Sequence, residues 1–258
     1  MPDAPAGPVV AIPCLSDNFA YLVPGPNGAA ALIDAPEAGP ILRALAERGW
    51  TLAEIWLTHH HDDHVQAVPE IRAAHPAIVA GNAADARRLP PLDLPLAAGT
   101  GTTLMGHAAE VIDVPGHTVG HVAFHVPALR AAFTADSLMA LGCGRLFEGT
   151  PEQMWGSLAR LMALPDETVI FQGHDYLDTN LRFARDVGVA TPELDARAER
   201  IAGWRAAGTP MGHESLATEK ATNPFLRAGL DATKACLSMP GATDVEAFAE
   251  LRRRRDGY

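Results

Sequence analysis

Residues 58–64 read Thr-His-His-His-Asp-Asp-His and follow directly on the apolar run Ile55-Trp56-Leu57. Side chains along a strand alternate with a period of two, so an extended chain here points His59 and His61 to the same side, and Asp63 and His64 follow as the chain turns. Imidazoles and a carboxylate at that spacing suit borderline divalent cations such as zinc, iron or manganese. With no thiolate to close it, the site stays open, as metal-assisted hydrolysis needs. The plainer alternative is a surface loop rich in His and Asp, but crowding unpaired imidazoles beside an apolar strand brings no packing benefit.

Three further segments repeat the same pattern. Val111-Ile112-Asp113-Val114-Pro115-Gly116 leads to His117, Ala131-Ala132-Phe133-Thr134-Ala135 to Asp136, and Val169-Ile170-Phe171-Gln172-Gly173 to His174. Strands ending at one rim of a sheet would gather these groups, although each alone also reads as a turn histidine or a helix cap. Seven candidate ligands (His59, His61, Asp63, His64, His117, Asp136, His174) are too many for one tetrahedral zinc. If Asp136 and a hydroxide bridge two dications, the cluster keeps a net charge of roughly +1, which suits an anionic tetrahedral intermediate. Two ions also lower the pKa of a shared water toward neutrality, so no serine or cysteine nucleophile is required.

Together, Thr58–His64, Pro115-Gly116-His117-Thr118-Val119-Gly120-His121, Asp136 and Gly173-His174 resemble the metallo-β-lactamase superfamily. Within it, Gly142–Thr150, Gly173-His174-Asp175-Tyr176 and Asn223-Pro224-Phe225-Leu226-Arg227 are similar to glyoxalase II, the hydroxyacylglutathione hydrolases. The resemblance runs from about Ile12 to the last residues and includes Asp17–Val23 and the strand ending at Asp34. It implies an α/β fold, a four-layer αββα sandwich followed by a C-terminal helical domain. It implies hydrolysis of S-(R)-lactoylglutathione and related 2-hydroxyacylglutathiones to glutathione and D-lactate, the second step of methylglyoxal detoxification, by a metal-bridging hydroxide. His59, His61 and His117 would hold one ion, Asp63, His64 and His174 the other, and Asp136 would bridge; Asp63 and Asp136 would take part in catalysis. The ions would be zinc, with iron or manganese as alternatives. Glutathione contacts fall on Arg145, Leu146, Phe147, His174, Asp175, Tyr176, Arg252 and Arg255. Phe147 stands where better-known eukaryotic members have tyrosine, and Arg145 and Arg255 stand where lysine is common. Tyr176 also reads as a packed aromatic, and Asp34 as either a cap or an acceptor for a ligand imidazole.

Two rivals are a mononuclear iron persulfide dioxygenase acting on glutathione persulfide and a metal- or glutathione-binding protein without turnover. Dioxygenases of that kind generally lack the Asn-Pro-Phe-Leu-Arg segment and the basic terminal helix. The second rival predicts binding without thiol release.

The elements that must position these residues divide the chain in two. Short β-type runs at 9–12, 20–23 and 30–33, a helix near Pro40–Arg48 closed by Gly49, and a helix from about Val65 to Ala74 belong to a catalytic domain, 1–176. Helical patterns fill a substrate-binding domain, 177–258: Leu177 to Val187 stopped by Gly188, then Thr191-Pro192-Glu193 opening a helix toward Gly208, a loop at Thr209-Pro210-Met211-Gly212, and two last stretches bracketing Ser238–Gly241. The final helix opens on the capping box Thr243-Asp244-Val245-Glu246 and carries Arg252–Arg255. Arg252 and Arg255 share a face there, either toward an acidic ligand or as a solvated end that complements the helix dipole.

A chain of 258 residues, 48% hydrophobic, can bury a full core. The net charge of −11 disfavours a nucleic-acid partner. No apolar stretch approaches a membrane span, and the start Met1-Pro2-Asp3-Ala4-Pro5 has no leader pattern. Cys14, Cys143 and Cys236 are too few and too scattered for a disulfide framework. The cysteine usage and the lack of a leader pattern predict a cytoplasmic protein; the partner that the resemblance implies is a small glutathione thioester, and a monomer is expected.

Overall fold

The computed structural model describes residues 9–209 and 213–258. The segment Met1–Pro5 and the Pro210–Gly212 part of the expected loop lie outside the described residues. The chain forms two compact units: one runs to Asp113 and includes Gly120–Ala135, and the other comprises Val114–Val119 and Asp136–Tyr258.

In the first unit, β1 (Val10–Cys14), β2 (Asn18–Pro24) and β3 (Ala29–Ile33) are joined by short turns and pair antiparallel. Helix α1 (Ala38–Arg48) then crosses to β4 (Thr51–Leu57), which pairs parallel with β3. Two short helices, α2 (Asp62–Val65) and α3 (Val68–Ala74), carry the chain to β5 (Ile78–Asn82), and β6 (Leu94–Leu96) completes a sheet in simple sequence order. Parallel neighbours need such crossovers, because a tight turn can join only antiparallel strands.

Helix α1 buries Ile41, Ala44 and Leu45, spaced three and four apart, and ends on Gly49, whose φ of 64° is the left-handed conformation that glycine adopts at least cost. The single helix expected at 65–74 is broken around Gln66-Ala67. Pro69 has no N–H to return to the carbonyl four residues back, and the Ala67 N–H is drawn to Ala35 O at 3.0 Å. The break sets off α2, the short turn that carries Asp63 and His64.

One face of β4 buries Ile55 and Leu57 against α1 and α3, while Trp56 turns to the other. There it meets Phe124 edge-on at 5.0 Å. Phe124 lies on β9 (Val122–Val126), one strand of an antiparallel run formed with β7 (Gly101–Leu104), β8 (His107–Asp113) and β10 (Ala131–Ala135). Tyr21 and Phe133, 5.8 Å apart, join the same interior, so two sheets stack with a helical layer outside the first. Each large side chain so buried contributes about 1.5–3 kcal/mol.

In the second unit, β11 (Leu138–Met139) and β12 (Gly142–Cys143) form a buried hairpin. Helix α4 (Pro151–Met162) opens on a Thr150/Gln153 capping box with proline at its first turn. Strand β13 (Val169–Gln172) precedes α5 (Leu177–Asp186), α6 (Pro192–Ala206), α7 (Leu216–Thr222), α8 (Asp231–Cys236) and α9 (Asp244–Asp256). The expected caps are present: Thr191 accepts from Leu194 N–H, and Thr243 and Glu246 form the capping box of α9. Phe183 stacks on Phe225 at 5.8 Å and Phe248 meets Phe225 edge-on at 5.9 Å, which knits α5 and α9 into one core, with α4 held against α9 by Trp155.

Candidate metal centre

In the first unit, β4 ends at Leu57 and delivers Thr58 and His59, both buried, to the sheet edge. Asp34 closes β3 with a φ of 57°, a strained backbone for a residue with a side chain, and its carboxylate organises the edge. It accepts the Thr58 N–H at 2.9 Å, the Thr58 hydroxyl at 2.8 Å and His64 Nδ1 at 2.8 Å. Of the two roles left open in the sequence, Asp34 therefore takes the imidazole acceptor's. With His64 Nδ1 engaged, metal binding falls to Nε2, which faces Asp63 Oδ2 at 3.9 Å. Asn18 fixes Asp63 in turn, donating to its carboxylate at 3.0 Å and its carbonyl at 3.1 Å. His59 Nε2 and His61 Nδ1 lie 3.2 Å apart, close to the edge of about 3.3 Å expected between two nitrogens on one tetrahedral zinc.

In the second unit, Asp136 Oδ2 lies 3.3 Å from His117 Nε2 and 3.3 Å from His174 Nε2. All three side chains are buried. The Arg145 carbonyl takes His117 Nδ1 at 2.8 Å and so fixes which nitrogen faces the carboxylate. That approach requires glycine at 144, where a Cβ would stand 2.0 Å from Asp136 O and 3.0 Å from His117 Nδ1. A carboxylate oxygen equidistant from two imidazole nitrogens suits a bridging ligand. His59, His61, Asp63, His64, His117, Asp136 and His174 all belong to His/Asp groups able to hold a metal ion.

The expected substrate contacts differ in character. Arg145 and Phe147 are exposed, the guanidinium 5.9 Å from the ring centroid, and Arg145 pairs with Asp256 at 3.4 Å. Leu146 between them is half-buried. Tyr176 stacks on His174 at 5.0 Å with its edge in solvent. Asp175 is gripped by both guanidinium nitrogens of Arg205 at 2.7 and 2.8 Å. Arg252 is buried; it donates to Cys143 O at 2.8 Å and Asp256 at 3.1 Å, and lies over Phe225. Arg255 is half-buried and donates to Asn180 Oδ1 at 3.1 Å; burial and the neighbouring Arg252 charge pull its pKa below the ordinary arginine value.

Sequence reasoning gave no role to Asn18, Gly144 or Arg205. Asn18 lies in the Asp17–Val23 run, but its bond to Asp63 spans 45 residues, which no local pattern encodes.

This geometry defines a class. The Metallo-beta-lactamase superfamily matches residues 16–174, and the chain belongs to it. A second family, the hydroxyacylglutathione hydrolase C-terminus, matches residues 175–258. Similar curated proteins bear the name hydroxyacylglutathione hydrolase. That from Roseobacter denitrificans is 54% identical over 97% of this chain and 98% of its own. That from Fuscovulum blasticum is 56% identical over 96% and 98%. That from Maricaulis maris is 45% identical over 95% and 96%. The chain belongs to the hydroxyacylglutathione hydrolase family. Among solved structures, ETHE1 from Myxococcus xanthus shares the fold, with a TM-score of 0.67 at 24% identity, covering 95% of this chain and 89% of that one. TTHA1623 in a di-iron-bound form is 30% identical with a TM-score of 0.59, covering 84% and 98%. The fold is the expected one, mixed sheets and helices followed by a helical C-terminal region.

Proposed function

We propose that the chain hydrolyses S-(R)-lactoylglutathione and related 2-hydroxyacylglutathiones to glutathione and the free hydroxy acid at a centre of two divalent ions. The observation that carries this reading is Asp136 Oδ2 set 3.3 Å from two buried imidazoles, in a chain whose relatives are hydroxyacylglutathione hydrolases. His59, His61 and His117 would hold one ion and Asp63, His64 and His174 the other, with Asp136 shared; the composition of the metal-capable groups supports this division. The residues fit such a centre. Their donors are imidazole and carboxylate, the spacings match coordination edges, and Asp34 and the Arg145 carbonyl orient His64 and His117 through the opposite ring nitrogens. Zinc suits this donor set, as iron and manganese do, and the di-iron form of TTHA1623 supports a two-ion capacity.

When bound, two such ions supply a water acidic enough to attack at neutral pH and a Lewis acid for the thioester carbonyl. The protein's own part is positioning. Asn18 holds Asp63 beside His64, where its carboxylate can orient the attacking water. Arg145, Tyr176 and Arg255, with the Leu146-Phe147 segment, would receive glutathione, whose two carboxylates pair with guanidinium groups. Asp175 and Arg252 would serve the same region through the bonds already described, Asp175 on Arg205 and Arg252 on Cys143. The glutathione thiolate is a good leaving group, so no strong general acid is demanded.

We further propose a division of labour between residues 1–176, for chemistry, and 177–258, for substrate, supported by the family boundary at 174/175. A cytoplasmic monomer without membrane or nucleic-acid partners fits the free cysteines and the −11 charge; no helix among the described residues is long and apolar enough to cross a membrane. The match of the C-terminal region to hydroxyacylglutathione hydrolases speaks against the persulfide dioxygenase reading. The test is purified protein given S-lactoylglutathione with a thiol reagent. Steady thiol release is expected, and none from metal-loaded protein would overturn the hydrolase reading in favour of a binding protein.

A further inference from the structure

The segment between Asp136 and Gly144 is a loop with a two-residue ladder, and residues 135–144 are buried throughout. Buried loops need partners for every backbone polar group, and here those partners are side chains from elsewhere in the second unit. Gln172 of β13 accepts the Ala140 N–H at 2.9 Å, and Asn180 of α5 donates to Ala140 O at 2.9 Å. Glu219 of α7 accepts the Leu141 N–H at 3.0 Å. Asn223 donates to Met139 O at 3.1 Å and Gly142 O at 3.0 Å, gripping both sides of the turn. Arg252 of α9 holds Cys143 O at 2.8 Å.

The cage is itself braced. Glu219 pairs with Arg197 in full burial, Arg197 also donates to Thr222 at 2.6 Å, and Asn223 Nδ2 lies 3.1 Å from Glu219. A buried ion pair gives little net stability but fixes a geometry, and here it aims Glu219 at Leu141. Asn223 opens the Asn-Pro-Phe-Leu-Arg motif; its Oδ1 takes the Phe225 N–H at 3.0 Å, so the residue is held at both ends.

Both ends of the caged segment meet metal-capable residues. Asp136 enters it, and Gly144-Arg145 leaves it beneath the His117 ring, with the Arg145 carbonyl on Nδ1. Gln172 links the turn to a third such residue, donating to His174 O at 3.1 Å. We propose that Asn223, at the centre of this cage, is a positioning residue for metal binding: through the 138–143 hairpin it sets the mutual placement of Asp136 and His117. The helical C-terminal region thus builds the metal centre as well as receiving substrate. This rests on the two-ion reading above.

The test is zinc affinity of the full chain by chelator competition, measured beside Tm, kcat and KM. Asn223→Ala should weaken zinc binding about tenfold or more, the usual cost of losing a group that orients a ligand, and lower kcat at limiting zinc while KM stays within about twofold. Asn180→Ala removes one bond to the hairpin instead of two and should give a smaller loss of affinity; it supplies the readout if Asn223→Ala does not fold. Ile201→Ala, a core change on α6 outside the cage, should lower Tm and leave zinc affinity at the wild-type value. Zinc affinity unchanged in the cage variants, or weakened equally by Ile201→Ala, would reduce the cage to ordinary stability and overturn the proposal. Wild-type protein that takes up no zinc, iron or manganese would instead overturn the reading on which it rests.

Discussion

At the scale of single residues, burial silences two of the chain's three thiols. Burial pushes the Cys14 thiol up to about 12 and the Cys143 thiol up to about 11, even though Arg252 lies against the latter. A raised thiol pKa means that almost no thiolate, the reactive form, exists at pH 8. Cys236 is exposed. Folded protein treated with a thiol reagent at pH 8 should therefore show one fast-reacting group, with Cys14 and Cys143 reacting only on denaturation; fast labelling of a second group would show that one of the buried sites opens readily. The single fast thiol also sets a constant background, one equivalent per chain, in any assay that counts released glutathione.

At the scale of elements, the local signals in the sequence were strong and the long-range ones silent. The helix ending at Gly49, the Thr191 cap and the Thr243–Glu246 box were legible because each is decided within four residues. The helix expected across Gln66 failed because apolar periodicity continued through a point where Pro69 and a bond to Ala35 break it. The metal-capable residues were legible from strand-end patterns, whereas the bonds from Asn18 to Asp63, from Arg205 to Asp175 and from the cage to the 138–143 hairpin span 30 to 109 residues and no local pattern encodes them, even though Asn223 and Arg252 stand in motifs that the sequence shows. The pairing of Arg252 with Arg255 shows the same limit: one helical face was foreseen, but not that one member is buried and the other half-exposed.

That difference makes the two arginines separable. Removing Arg252 leaves the buried Cys143 carbonyl without that donor and takes a buried side chain off the Phe225 ring, a loss of about 1–3 kcal/mol for the unsatisfied acceptor alone. Arg255 gives up one bond to Asn180. Arg252→Ala should depress Tm strongly, whereas Arg255→Ala should leave Tm nearly unchanged and raise KM about tenfold through the loss of a charged contact to glutathione. Thermal melts and steady-state kinetics decide it. An unchanged KM in Arg255→Ala would reject the contact, and an unchanged Tm in Arg252→Ala would reject the buried role.

At the scale of the whole molecule, strained backbone stands at two strand ends beside metal-capable residues. Asp34 and Ala135 both hold left-handed backbone at strand ends, with φ of 57° and 41°, a conformation that costs about 1–2 kcal/mol per residue and persists only where surrounding bonds enforce it. Each unit supplies donors already oriented by its own fold, by Asp34 and Asn18 in the first and by the Arg145 carbonyl in the second. Pre-orientation of this kind lowers the reorganisation needed when ions bind. The proposed function requires that these donors serve two ions acting together. It is tested most directly by elemental analysis of purified, active protein, with the same count and rate for Asp136→Ala. Close to two divalent ions per chain are expected, falling to one or fewer with nearly all turnover lost in the variant. A single ion per chain at full rate, or an Asp136→Ala protein as active as wild type, would contradict it.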